Sequence, residues 1–347
     1  MTPSGKTGDT CYSQMLEMAA TPGLKAALKR GALVAAANWP LVIVQFVTAS
    51  SLKLILAVPI VGGAFLVALL LDTPLSDLLG GDLRTIVVSI LKALTASPTA
   101  LTAFVAAISL VFVAGSILQF IVKGGTVALL AQAERAAGPI ERPPLTMDAI
   151  RRAEVVSIDA FLHACAHLWR RYVRIGIGLL VVYAVTAAVY LLFIVGGYHL
   201  ADNSAILLGW TFAAAAASSF LIVWLAIVNF FYLMTQMVVA VEDVSVRTGV
   251  RLAFAFVWGH LREISAVFGV VLLVTILATA ASILATTGLG LIAFVPLVGL
   301  AVLPLQLAAW LIREIVFEYL GLAALGAYLS HYRWYYRAIE TPDIRLA

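Results

Sequence analysis

Long unbroken apolar stretches alternate with short polar ones along this chain, and the apolar stretches show no two-residue alternation. A helix needs about twenty apolar residues to cross the roughly 30 Å of hydrocarbon in a bilayer. Runs of that kind fall at 38–70, 99–122, 175–197, 205–239, 264–287 and 299–328. In lipid every backbone N–H and C=O must find an internal partner, which leaves helices or a closed barrel. The lack of alternation removes the barrel. The pattern therefore predicts an all-α, polytopic membrane helix bundle of about six transmembrane helices. A polar tail over 1–20 precedes a single membrane domain over 21–347.

The connections repeat a theme. Three times a turn-forming residue leads into a short amphipathic stretch, a Trp and then an apolar run: Thr21 to Trp39, Ser157 to Trp169, and Ser245 to Trp258. Ser157 and Ser245 suit helix N-caps, because their hydroxyls can accept an orphan backbone N–H. In the middle copy Ile158, Phe161, Leu162, Cys165, Leu168, Trp169 and Tyr172 share one helical face, and Asp159, His163, His167, Arg170 and Arg174 share the other. In the third, Arg247 and Arg251 oppose Val246, Val250, Phe254 and Val257. Such patterns predict helices lying in the interface plane. The chain then divides into three hairpin units, 21–130, 157–239 and 245–335, each opened by an interfacial helix. Trp39, Trp169 and Trp258 are the expected anchors at headgroup depth. The echoes VPIVGG at Val58–Gly63 and VPLVGL at Val295–Leu300 predict helix breaks or short re-entrant turns. The longest polar excursion carries Pro139, Pro143 and Pro144, then a short charged helix over Met147–Glu154, and offers a surface for a partner.

Composition removes the soluble alternative. The chain is 63% hydrophobic and 12% charged, with a mean hydropathy of +1.05, whereas soluble domains run near half apolar and a quarter charged. Cations crowd the segments before the first run, between the second and third, between the fourth and fifth, and after the sixth; Arg84 and Lys92 stand on the other side. The positive-inside rule then predicts cytoplasmic N- and C-termini. The excess of Arg over Lys, with abundant Ala, Leu and Val, points to a bacterial inner membrane, and the polar first residues predict no cleaved leader. Cys11 and Cys165 match no metal or redox spacing. No phosphate-binding loop, dinucleotide fingerprint, HExxH or GxSxG sequence occurs, so no enzyme activity and no cofactor are expected. The basic pI of about 9.1 follows from topology and implies no nucleic-acid partner.

The stretch Val239–Arg262, VAVEDVSVRTGVRLAFAFVWGHLR, resembles a segment of the six-span membrane domain associated with some glycerophosphodiester phosphodiesterases and related inner-membrane families. There an acidic residue is followed by a short Ala-Leu-Arg-x-Ser-Trp-like helix and a Gly-Asn-Phe-like turn into the next span. Here Glu242 stands for the acid, Gly249-Val250-Arg251 and Ala253-Phe254 for the helix, and Gly259-His260-Leu261 for the turn. Tyr328–Arg337, YLSHYRWYYR, is similar to the Tyr- and Arg-rich close of the last span. The resemblance implies a six-span fold with interfacial helices. It implies no phosphodiesterase activity, which belongs to a separate soluble domain.

Ionisable groups at membrane depth cost roughly 2.5–3.5 kcal/mol each and need partners. Lys53, Arg313, Glu314 and Glu318 are those groups here. Lys53 is expected to pair with Glu314 or Glu318 across the first and last helices. In the competing readings Arg313 and Glu314 mark an interface, with a further helix over 315–332, or the charges relay protons or ions. Gln45, Gln119, Asn229 and Gln236 read as interhelical links, and the small residues of Ala213–Ser219 as a packing surface. Arg170, Arg171, Arg174, Arg247 and Arg251 are candidate contacts for lipid headgroups. Asp159, His163 and His167 lie one turn apart and could hold a metal or haem, although a solvated helix face would look the same. The leading functional expectation is a non-enzymatic scaffold or accessory subunit that organises lipid, a membrane-protein partner or a second copy of itself. The alternative is a transporter or channel for a small solute or lipid, and metal or haem binding is a weaker one. A transporter needs a polar cavity reached by Lys53, Glu314 or Glu318; a scaffold needs a dry centre and an exposed apolar flank.

Overall fold

A computed structural model describes residues 23–70, 98–200, 204–293 and 298–340. These form nine helices and, among the described residues, no strand: α1 (Leu24–Ala37), α2 (Trp39–Leu70), α3 (Pro98–Ala136), α4 (Met147–Ala153), α5 (Ile158–Leu200), α6 (Ser204–Glu242), α7 (Val246–Gly259), α8 (Leu261–Ala293) and α9 (Val298–Glu340). Five of them, α2, α3, α5, α6 and α8, are long and apolar enough to cross a membrane. The chain is a multi-pass membrane protein. The sixth predicted run, 299–328, lies inside the single 43-residue helix α9, which passes Arg313 and Glu314 without a break.

Local chemistry sets the helix ends. Asn38 interrupts α1 and α2: its Nδ2 donates to Val34 O at 2.9 Å and its backbone N–H caps the same carbonyl. Pro40 then suits the first turn of α2, where no donor is needed. Ser157 Oγ accepts from Ala160 N at 3.2 Å at the start of α5, and Ser245 Oγ accepts from Thr248 N at 3.4 Å at the start of α7. Two expectations fail here. The middle amphipathic stretch is no separate interfacial helix but the first turns of α5, which runs unbroken for 43 residues. Nor does Val58–Gly63 break a helix, since α2 continues through it; the second echo falls partly on 294–297, outside the described residues.

Packing is uneven along the bundle. At about 1.5 Å per residue, the 39 residues of α3 reach about 58 Å, nearly twice the roughly 30 Å hydrocarbon layer. The surplus builds a protein-like core at the end of the bundle that carries Arg30, Arg135 and Arg333, termed here the basic end. Val34, Leu41, Leu130, Ala133, Met237, Phe256 and Tyr332 are buried there. The most apolar stretches of α5 and α6 bury no residue inside the chain, and Leu192, Phe212 and Phe220 are exposed. Lipid is the solvent for those surfaces.

At the basic end α1 lies along the second half of α9 through its buried face, Ala27, Gly31, Val34 and Ala35. The two backbones meet at Gly31 and Gly326, where a methyl group on Gly326 would stand 2.9 Å from Gly31 Cα. The polar excursion after α3 is anchored to α1 and Asn38, while residues 142–148 stay exposed. Asn38 Nδ2 donates to Ala153 O at 2.7 Å, Asn38 Oδ1 accepts from Val155 N at 3.1 Å, and Lys29 Nζ donates to Glu141 O at 2.8 Å.

Candidate functional site

Five helices, α2, α3, α6, α8 and α9, surround a cavity of about 360 Å³. Its walls are mainly apolar, with Phe230, Leu233, Phe268 and Leu325 among them, and Gln45, Lys123, Thr126, Asn229, Thr275 and Glu318 add polar groups. Several of these amides and hydroxyls are satisfied within the bundle, as the packing reading expects. Gln45 Nε2 donates to Thr126 Oγ1 at 2.6 Å, Thr126 to Val122 O at 3.0 Å, and Thr275 to Val271 O at 2.8 Å. Asn229 accepts from Tyr183 OH at 2.7 Å and donates to Leu225 O at 2.9 Å. Lys123 and Glu318 differ. No ion pair joins them, and Lys123 Nζ lies 5.7 Å from the centre of the Tyr232 ring.

The helices deliver these groups by register. Glu314 and Glu318 sit one turn apart on α9. Lys53 Nζ on α2 lies 2.5 Å from Glu314 Oε2, so these two side chains are brought together, while Glu318 turns into the cavity toward α3. Arg313 is exposed, its guanidinium 5.8 Å from the Phe317 ring. Lys123 follows the second predicted run, 99–122, where a connection and its topological cations are expected, but it belongs to α3, which runs on past it to Ala136. Its signal in the sequence was a cation directly after an apolar run with no turn residue before it.

A second group of charges holds the basic end. Glu134, buried on α3, accepts from Arg30 Nε at 2.9 Å and from Arg333, and Arg30 also reaches Glu141 Oε2 at 2.8 Å. Beside it, α3, α5 and α6 enclose a cleft of about 390 Å³ lined by Gln132, Arg135, His163, His167 and Asp243. Asp243 adopts a left-handed backbone with φ of 52°, a conformation that Asp tolerates better than most residues. Its carboxylate accepts from His167 Nε2 at 2.9 Å and from Arg171. Desolvation pushes the Asp243 carboxyl up, but these two donors and their charges outweigh it and hold the group below the usual carboxylate range. His167 is thus committed to Asp243. Asp159 and His163 stand exposed, and among the described residues no three His, Cys, Asp or Glu side chains gather as a metal site.

The interface candidates fall on the surface. Trp39, Trp169 and Trp258 are 63%, 42% and 70% exposed. The Arg170 guanidinium lies 5.3 Å from the Trp169 ring, and Trp258 stacks on Phe254 with centroids 5.7 Å apart. Arg170, Arg174, Arg247 and Arg251 are exposed, whereas Arg171 is drawn to Asp243. The segment that carries the family resemblance folds as the end of α6, all of α7 and the start of α8. No family model matches the chain, and no curated protein and no solved structure matches it either.

Proposed function

We propose that this protein is a non-enzymatic membrane carrier that binds a small solute or lipid in the cavity between α2, α3, α6, α8 and α9. The supporting observation is the placement of Lys123 and Glu318 in a mainly apolar cavity without a direct ion pair. Unpaired charge within a helical bundle is costly, and ionisable groups so placed usually mark a substrate or ion path. A scaffold with a dry centre would not need it. In this reading α9 is the sixth crossing, closing the third hairpin with α8, and the basic end faces the cytoplasm of a bacterial inner membrane, as the distribution of cations suggests.

Proteoliposomes decide the matter. Purified protein should accelerate exchange of fluorescent phospholipids between leaflets or uptake of labelled solutes, and Glu318→Gln should return the rate to that of empty vesicles. Wild-type protein no faster than empty vesicles would reject the carrier.

The scaffold reading keeps one specific support. The most apolar stretches of α5 and α6 bury nothing in the chain, and much of Ala213–Ser219 on α6 is exposed. Small residues permit close helix approach in lipid. A membrane-protein partner or a second copy of the chain would cover that face, and copurification from native membranes would reveal it.

A further inference from the structure

The cavity has an opening as well as a charge pattern. Around it α2 packs on α3, α3 on α6, and α9 on both α8 and α2, but α6 and α8 barely touch. Between them stands the Phe230–Phe268 edge-to-face pair, with centroids 5.5 Å apart. Asn229 on α6 and Leu272 on α8 both line the cavity and both are exposed, Leu272 by 45%. The gap between these helices therefore leads from the surrounding hydrocarbon into the cavity.

Inside, the ionisable groups are of two kinds. Gln45 through its Nε2, Thr126, Asn229 and Thr275 are partnered within the bundle, and the two ionisable side chains with no ion pair among the lining residues are Lys123 and Glu318. They belong to different helices, α3 and α9. A ligand with a single charge would satisfy one and leave the other exposed to low dielectric. A ligand with an anion and a cation a few bonds apart would satisfy both. The volume of about 360 Å³ is too small for a whole phospholipid but sits within the range of small-molecule sites.

We propose that the cavity receives the headgroup of a zwitterionic amphiphile bearing a phosphate and a primary amine, which enters sideways between α6 and α8. The phosphate meets Lys123, the ammonium meets Glu318, and the acyl chains stay in the gap beside Leu272. The proposal rests on the reading of this cavity as a ligand site.

The test uses the full-length chain in uncharged maltoside micelles with a phosphatidylethanolamine that carries a photoactivatable acyl chain. Unlabelled phosphatidylethanolamine should compete for labelling at least about tenfold better than phosphatidylglycerol, which lacks the amine, or diacylglycerol, which lacks both charges. Lys123→Gln and Glu318→Gln should each lower labelling by about tenfold. Should either variant fail to stay monodisperse, Leu272→Trp decides, because it fills the opening without touching the charges and should also suppress labelling. Equal competition by phosphatidylglycerol or diacylglycerol overturns the proposal and leaves the carrier reading standing. Water-soluble glycerophosphoethanolamine competing as well as the lipid overturns lateral entry. Absence of any competition together with absence of flux in proteoliposomes removes both.

Discussion

Glu134 is 3% exposed and sits between two guanidinium groups, those of Arg30 and Arg333, which lie 104 and 199 residues away along the chain. Separations of that size are invisible in a linear reading. In the sequence Glu134 is a single acid in an Ala-rich stretch, and both arginines look like topological cations. Replacing Glu134 by Gln keeps the shape and leaves the two cations facing a neutral group. A loss of about 2–4 kcal/mol is expected, read as a lower melting temperature in detergent. His331 offers a pH test at the same end. Burial holds its imidazole below the ordinary value, the charge of Glu263 works the other way, and His260 adds to the burial effect. The folded state thus resists a proton that the unfolded state accepts. Stability is full above about 6.5 and falls as pH drops from there toward the lower folded value. Melting curves between neutral and mildly acidic pH should show this decline, and His331→Gln should flatten it.

Among the helices, the crossing of α1 over α9 depends on the absence of two side chains. The backbones approach at Gly31 and Gly326 so closely that any Cβ meets main chain, which cannot rotate away. Gly31→Val is expected to lift α1 from α9 and to cost about 1–3 kcal/mol or more, measured as a lower melting temperature with faster hydrogen exchange in 24–37. Such crossings show why elements were only partly legible in advance. The long apolar runs were readable because hydrocarbon imposes a minimum length and a single solution for the backbone. The caps at Ser157 and Ser245 were readable because their chemistry is local. The opening of α5 was not, because an amphipathic wheel looks alike whether its apolar face meets lipid or another helix. Phe161, Cys165 and Tyr172 meet α3, while Ile158 and Leu162 on the same wheel stay 79% and 59% exposed. VPIVGG misled for a related reason, since lipid removes the competing solvent that lets Pro and Gly break a helix in water.

For the molecule as a whole, the sidedness of the connections is the first matter to test. In a chain whose own Cys11 and Cys165 are replaced, single cysteines at the exposed positions 142 and 250 are expected to react from the same face of sealed vesicles, since both belong to the basic end; labelling from opposite faces would refute the threading. The charges at membrane depth were recognisable from sequence as groups needing partners, and Lys53 lies against Glu314 in the structure. The cavity itself was not recognisable, because its second charge, Lys123, hid among cations that obey topology. The uneven packing has one further consequence. Much of α5 and α6 has only hydrocarbon beside it, so matching these helices to the thickness of the bilayer falls to the lipid rather than to packing within the chain.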